Sequence, residues 1–289
     1  MARYNRGKTG AAGDHMAKKK RLKIALIGYG AISQMLFDVF REKKPAIDIV
    51  GVLVRKGRAK AVQKKLGSKV AVVETLKELL KLKPDVVVEA ASQQAVRDWG
   101  ETILKKGFDF MVIATGAYGD PKLWKTHVKA AEKSGARLRL PSGAIAGLDG
   151  LLAMRLGKLE HVKYISIKPP HAWSGTPAET EFDLPSIKEP TVIFRGTPAD
   201  AGRLYPKNAN LAVTVALCGA GLKHTEIELV ADPTLPPGTN ASRLEVKSDS
   251  GELSIYRLGR AMPDNPKTGV LTALTMADDL MKIVRSSDW

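Results

Sequence analysis

Short apolar runs and amphipathic stretches alternate from residue 23 to 140. Lys23-Ile24-Ala25-Leu26-Ile27 has the length and continuity of a buried parallel strand. Gly28-Tyr29-Gly30-Ala31-Ile32-Ser33 follows, and 34–42 has helical spacing. The step then repeats. Apolar runs over 49–54, 70–73, 85–90, 110–114 and 137–140 are separated by helical patterns at 58–66, 76–82, 94–106 and 121–134. This β-α alternation predicts a mainly parallel sheet with helices on both faces, and ligands at the carboxyl ends of its strands.

The pattern changes after 145. A helix is expected over 146–158, and 162–168 alternates like a half-buried strand. Prolines at 169, 170, 177, 185 and 190 mark a loop-rich stretch. A strand is expected at 192–195 and helices at 198–205 and 209–220. Antiparallel strands follow at 225–231, 242–248 and 251–258, and a closing helix at 268–285. The whole reads as α/β: a parallel-sheet domain over 23–145, then an α+β domain over 146–265 with a mixed or antiparallel sheet.

The glycine loop sits where a dinucleotide-binding turn requires it, after a strand and before a helix. Gly28 permits the tight turn, and Gly30 lets a pyrophosphate approach the backbone. The helix N-terminus at Ala31 and Ile32 supplies N–H donors. Ser33 stands where a third glycine is usual and is small enough for close helix packing. The first domain is therefore expected to be a Rossmann-type dinucleotide-binding domain. Ala91, Ser92 and Gln93 after the fourth strand, and Thr115 after the fifth, lie at the same sheet edge. Asp48 falls 20 residues after Gly28 but precedes the second strand, at the wrong end to reach a ribose. That strand ends instead at Arg55-Lys56-Gly57-Arg58, whose cations can pair with a 2′-phosphate. The reading is NADP, with NAD tolerated; the alternative is a set of solvated loop charges.

Charge changes the picture less than its size suggests. The 289 residues carry 46 Lys+Arg and 30 Asp+Glu, a net +16. Eight Lys/Arg against one Asp lie in residues 1–23, so +7 sits in a short head poor in apolar residues. No aromatic residue interleaves Lys18-Lys19-Lys20-Arg21, so a solvated tail is favoured over a nucleic-acid arm. Gly13-Asp14-His15-Met16 has the form of a cloning junction, with Met16 as the native start, and 1–22 is set aside from the fold. No apolar run approaches a membrane span, and the basic start is not followed by a signal-like stretch. One cysteine, Cys218, speaks against a disulfide framework and for a cytoplasmic setting. No His, Cys or carboxylate cluster has metal spacing.

With these segments placed, the chain resembles the L-aspartate dehydrogenase family. The resemblance rests on Gly28-Tyr29-Gly30-Ala31-Ile32, Val88-Glu89-Ala90-Ala91, Pro141-Ser142-Gly143-Ala144-Ile145-Ala146-Gly147-Leu148-Asp149 and Lys168-Pro169-Pro170. It continues through Gly175-Thr176-Pro177-Ala178-Glu179, Pro206-Lys207-Asn208-Ala209-Asn210, Ala231-Asp232-Pro233 and Asn265-Pro266-Lys267-Thr268. It implies NAD(P)-dependent, reversible oxidation of L-aspartate, or a related small acid, to the imino or oxo acid. It also implies a closing helix, 266–289, packed back on the first domain, and a homodimer formed through the second. It places cofactor contacts at Ala144 and Asn210. Ser142, Gly143, Lys168 and Lys207 become candidates for the substrate carboxylate.

The chain departs from the family at one position. A histidine two residues after an asparagine, beyond Ala-Asp-Pro, is expected; here Ala231-Asp232-Pro233 is followed by a longer loop and Asn240-Ala241-Ser242. Ser242 can donate a hydrogen bond, but unlike histidine it is no unaided acid or base near neutral pH. Among the histidines, His171, beside Lys168-Pro169-Pro170, is the candidate to share the catalytic role with Ser242 and Lys168; His127, His161 and His224 read as surface residues. Cys218 reads as a small buried helix residue. The serine leaves two further readings open, a different small acid as substrate or a non-catalytic dinucleotide-binding protein.

Overall fold

The first sheet holds six parallel strands in the order β3-β2-β1-β4-β5-β6. They are β1 (Leu22–Ile27), β2 (Ile47–Leu53), β3 (Ala71–Val73), β4 (Val86–Glu89), β5 (Asp109–Val112) and β6 (Leu138–Arg139). The helices between them are α1 (Ala31–Lys43), α2 (Ala59–Leu66), α3 (Leu76–Lys81), α4 (Gln93–Lys105) and α5 (Pro121–Ser134). The order reverses at β1, so β1 and β4 leave a crevice at their carboxyl ends. Continuous apolar strands are buried by helices on both faces. Leu36 and Phe40 of α1 join one core, and Val96, Ile103 and Leu104 of α4 join the other. This computed structural model describes residues 21–262 and 265–286; the side chains at 207 and 265–267 lie outside the described set.

The second sheet has the order β12-β11-β10-β7-β9-β8. Its strands are β7 (Leu159–Lys168), β8 (Thr191–Gly196), β9 (Glu226–Ala231), β10 (Thr239–Ser248), β11 (Gly251–Met262) and β12 (Asn265–Gly269). Helices α6 (Leu148–Met154), α7 (Ala178–Glu181), α8 (Pro198–Leu204), α9 (Asn210–Cys218) and α10 (Val270–Lys282) complete the chain. Along β7 the burial alternates, with Val162, Tyr164 and Ser166 buried. That face packs on α6 and α9 through Leu148, Leu151, Ala212 and Val215.

Three expectations change. Strand 225–231 was expected to be antiparallel; β9 runs parallel to β7 and antiparallel to β8. The long connection from 169 to 225 lets the chain return in its original direction. The helix expected over 146–158 is only Leu148–Met154, because Gly147 precedes it with φ +78, in the left-handed region. His127 is 0 % exposed, not on the surface, and its Nδ1 lies 3.0 Å from Tyr118 Oη.

Helix α9 is apolar almost all round, as a helix buried on every side must be. Val213 belongs to the first domain's core, while Ala212 and Val215 belong to the second's. Helix α10 returns to the first domain, where Met276, Ala277 and Leu280 pack with Leu36 and Phe40.

Candidate active site

Two cavities lie at the carboxyl edge of the first sheet. The first is lined by Gly28, Gly30, Arg55, Arg58, Ala91 and Ser92, among others. Gly28 has φ +96, and a Cβ there would lie 2.9 Å from Ala90 O, so only glycine makes this turn. A Cβ on Gly30 would meet nothing within 4 Å, which leaves the α1 N-terminus open to the cavity. No side chain caps that helix. A 13-residue helix with free N–H groups beside an open glycine fits a pyrophosphate. Ser33 is buried and its Oγ donates to Gly28 O at 2.9 Å, so it ties the turn closed from behind.

Glu89, in the sequence only a member of a family motif, organises this edge. It is wholly buried at the end of β4. Its Oε1 accepts the N–H groups of Ala91 (2.7 Å) and Ser92 (2.8 Å), and its Oε2 accepts that of Ala114 (2.9 Å). One carboxylate thus shapes the loops after β4 and β5. Burial pushes its pKa up, while these backbone donors draw it down.

Arg55 lies on the wall of the first cavity, exposed; Lys56 is exposed and does not line it. Glu74 accepts the N–H groups of Gly57 (2.8 Å) and Ala59 (3.1 Å) and holds that loop in place. Asp48 pairs with Arg21 at 2.9 Å, in the first turn of β2 and at the opposite end of the sheet.

The second cavity lies between the two sheets. Ile32 and Ala144 form its first-domain side, with Asn210 and Leu211 from α9. The opposite wall is polar: Tyr164, Ser166 and Lys168 alternate along β7, with Asn240 from β10 and Arg257 from β11. Among the described residues, no carboxylate and no histidine lines it. The Lys168 ammonium is hydrogen-bonded to Asn208 Oδ1 and stands 5.2 Å from the centre of the Trp173 ring. Trp173 is itself fixed by Nε1 donating to Val230 O at 3.2 Å.

Asn210 joins the domains and does not cap its helix. Its Oδ1 accepts from Gly116 N (2.9 Å) and Gln93 Nε2 (3.3 Å), and its carbonyl accepts from Thr115 Oγ1 (2.7 Å). Gln93 Nε2 also donates to Pro206 O at 2.8 Å. Gly116 permits this approach, since a Cβ there would lie 2.2 Å from Gln93 Nε2. Thr115 and Gln93 are therefore structural members of the edge and line neither cavity. Ser142 and Gly143 lie in the loop carrying Ala144, which α10 holds through Thr275 Oγ1 donating to Gly143 O at 2.8 Å.

Ser242 is 5 % exposed and does not line the cavity; it faces Ser166 on one side and Arg257 on the other. His171 is exposed on the turn Pro170–Trp173 and lines neither cavity. Lys207 lies in the turn Pro206–Asn208, and its side chain is outside the described set. Tyr164, Ser166, Asn208, Asn240 and Arg257 were missed. The period-2 alternation that put Lys168 on the strand also puts Ser166 and Tyr164 on its face. His161 and His224 are exposed, and Cys218 is half-buried at the end of α9.

No group of three or more His, Cys, Asp or Glu among the described residues is placed to hold a metal ion. No described helix is long and apolar enough to cross a membrane.

The comparisons agree with this geometry. The family profile described as "Homoserine dehydrogenase, NAD binding domain" matches residues 28–141, and "Aspartate dehydrogenase, C-terminal" matches 149–283. An aspartate dehydrogenase structure from Thermotoga maritima aligns with a TM-score of 0.73 at 24 % identity, covering 93 % of this chain and 99 % of that one. A hyperthermophilic archaeal homoserine dehydrogenase in complex with NADPH aligns at a TM-score of 0.58 and 13 % identity, covering 91 % and 97 %. L-aspartate dehydrogenase of Ralstonia nicotianae is 35 % identical, over 88 % of this chain and 95 % of its own. That of Serratia proteamaculans is 36 % identical over 262 residues, 91 % of this chain and 97 % of its own. With a dinucleotide cradle on one sheet and a cationic cavity wall on the other, the chain belongs to the L-aspartate dehydrogenase family of NAD(P)-dependent dehydrogenases.

Proposed function

We propose that this enzyme oxidises L-aspartate, reversibly, to the imino acid, with NADP preferred over NAD. The observation that carries the substrate is the wall of the second cavity: among the described residues it holds two cations, Lys168 and Arg257, and no carboxylate. A small anion is the complementary ligand. The nicotinamide supplies the hydride acceptor when it is bound. Gly28, Gly30 and the N-terminus of α1 hold the pyrophosphate. Ala91 and Ser92 line the groove beside it, and Ile32 and Ala144 border the reacting end. The Arg55 and Arg58 guanidiniums, both on the wall beside β2, support a 2′-phosphate.

Lys168 takes a substrate carboxylate, oriented by Asn208 and by the Trp173 face. The loop Ser142–Ala144, whose Ala144 lines the same space, contributes to carboxylate binding, as does Lys207 by its place in the family motif. Ser242 acts from behind the wall, as a hydrogen-bonding neighbour. One observation favours a second reading, a different small acid as substrate: neither Ser242 nor His171 lines the cavity, so its acid–base chemistry differs from that of a histidine site.

The outer face of the second sheet supports a homodimer. Tyr256 and Leu258 of β11 are 52 % and 48 % exposed, on the face shared with Ile165 and Ile167. We place the enzyme in the cytoplasm, in keeping with its single, unpaired cysteine.

The test is cofactor reduction across amino, hydroxy and keto acids, with and without ammonia. L-aspartate should give the highest kcat/KM, and NADP+ should exceed NAD+. Turnover confined to uncharged substrates would refute the cationic, acid-binding pocket.

A further inference from the structure

Tyr164 and Arg257 face the second cavity from neighbouring rows of the second sheet. Tyr164 is 1 % exposed, and its Oη is buried with no hydrogen-bond partner among the described residues. Arg257 Nε is buried and unpartnered in the same way. A fold seldom leaves such groups unpaired in its interior, because desolvation goes uncompensated. Both residues line a cavity that otherwise has the form of a substrate site.

Among the described residues, the titratable groups on that wall are Tyr164, Lys168 and Arg257. Arginine does not give up its proton in proteins. Lys168 is engaged by Asn208 and the Trp173 ring. That leaves the Tyr164 hydroxyl as the group able to exchange a proton with a bound substrate.

The seating of Arg257 is built into the strand. A Cβ on Gly259 would stand 1.6 Å from Arg257 Nη1, so the guanidinium lies over the bare glycine backbone. Across from Arg257 stands Ser242, whose short side chain leaves the row open.

We propose that Tyr164 is the proton-transfer residue of this site, and that Arg257, seated over Gly259, is a positioning residue that acts through the Tyr164 phenol. This rests on the dehydrogenase reading above. In the oxidative direction the Tyr164 phenolate takes one proton from the substrate ammonium. The freed nitrogen lone pair forms the C=N bond as the Cα–H bond breaks, and that hydrogen leaves with its electron pair to the oxidised nicotinamide. The products are the iminium acid, the reduced cofactor and a neutral phenol. Reduction reverses each transfer.

Burial pushes the phenol up to about 12, while Ser242 and Arg257 pull it down. Lys168, on the same strand, adds positive charge to the cavity, and no carboxylate lines it among the described residues. The phenolate grows with rising pH, so oxidation should accelerate with pH across the alkaline range.

The experiment pairs two readouts on full-length enzyme. The first is tyrosinate absorbance against pH, with the Tyr164→Phe titration subtracted to isolate this phenol. The second is the pH profile of kcat for L-aspartate oxidation. Tyr164→Phe should lower kcat by about 10²–10⁴-fold with little change in KM, and should abolish the alkaline limb. Arg257→Met should move both the tyrosinate midpoint and the kinetic limb to higher pH. Gly259→Ala, which displaces the guanidinium without touching the phenol, should move them the same way with an unchanged melting temperature. A Tyr164→Phe enzyme with the wild-type kcat and pH limb overturns the proposal and leaves the dehydrogenase reading standing. A tyrosinate midpoint unmoved by Arg257→Met removes the role of Arg257. Failure of the wild type to reduce cofactor with any small acid removes both the proposal and the reading it rests on.

Discussion

Glu89 shows how much one buried residue can organise. Its carboxylate is the common acceptor for three backbone N–H groups on two loops, and the loop after β4 borders the cofactor groove. Charge-assisted hydrogen bonds of this kind are about twice as strong as neutral ones. Glu89→Gln keeps the shape but turns an N–H₂ group toward at least one backbone donor. The expected loss is about 2–3 kcal/mol of stability, read as a lower melting temperature, together with weaker cofactor binding in a titration. An unchanged dissociation constant and melting temperature would show that the loops hold their shape without the carboxylate. In the sequence Glu89 stood only within the motif Val88-Glu89-Ala90-Ala91, with no role attached to its carboxylate. The meeting of both loops on one side chain depends on β4 and β5 being neighbours, which is a tertiary fact.

At the scale of elements, α4 and α5 are packed through a glycine and a histidine. A Cβ at Gly100 would lie 2.3 Å from His127 Cε1, and the His127 ring is fully buried. Gly100→Ala would gain about 0.5–1 kcal/mol of helix propensity. Overpacking a rigid core position costs about 1–3 kcal/mol, so the packing penalty should win. The variant should melt at lower temperature by calorimetry; a higher melting temperature would mean the ring has room to shift. Burial also lowers the His127 pKa, which keeps the imidazole neutral beside Tyr118. Read from the sequence, His127 looked like a surface residue, because it lies in a helix rich in lysine. The first sheet was far more legible, since its buried parallel strands are continuous apolar runs. The second sheet was legible as strands and in its antiparallel β10–β11 pair, but not in the pairing of β9. The parallel β7–β9 pair depends on a long connection, and β12 was missed. That edge strand contains Pro266, and a sheet tolerates proline at its edge. The cofactor half of the site was legible for a related reason: it is one local loop. The polar wall is assembled from β7, β10 and β11, and only Lys168 carried a sequence motif.

At the scale of the molecule, α9 belongs to both cores, and the Gln93–Asn210–Gly116 cluster ties the two domains beside the cavity. The cavity between the sheets is thus held by fixed contacts. The net +16 also changes meaning at this scale: +7 lies within residues 1–23, while Arg55, Arg58, Lys168 and Arg257 line the two cavities. Charge points to an anionic cofactor and an acidic substrate. The exposed Tyr256–Leu258 face predicts self-association. Leu258→Asp should convert a dimer to a monomer in sedimentation velocity and leave the monomer folded; a wild type that sediments as a monomer would contradict the interface.

On the function proposed here, this site moves a hydride from the α-carbon of a small acidic amino acid to a nicotinamide. The most direct measurement supplies L-aspartate deuterated at that carbon, with NADP+, and determines the mass of the reduced cofactor. The reduced cofactor should carry one deuterium per turnover. Cofactor that binds but remains oxidised, or becomes reduced without the label, would contradict the proposed function.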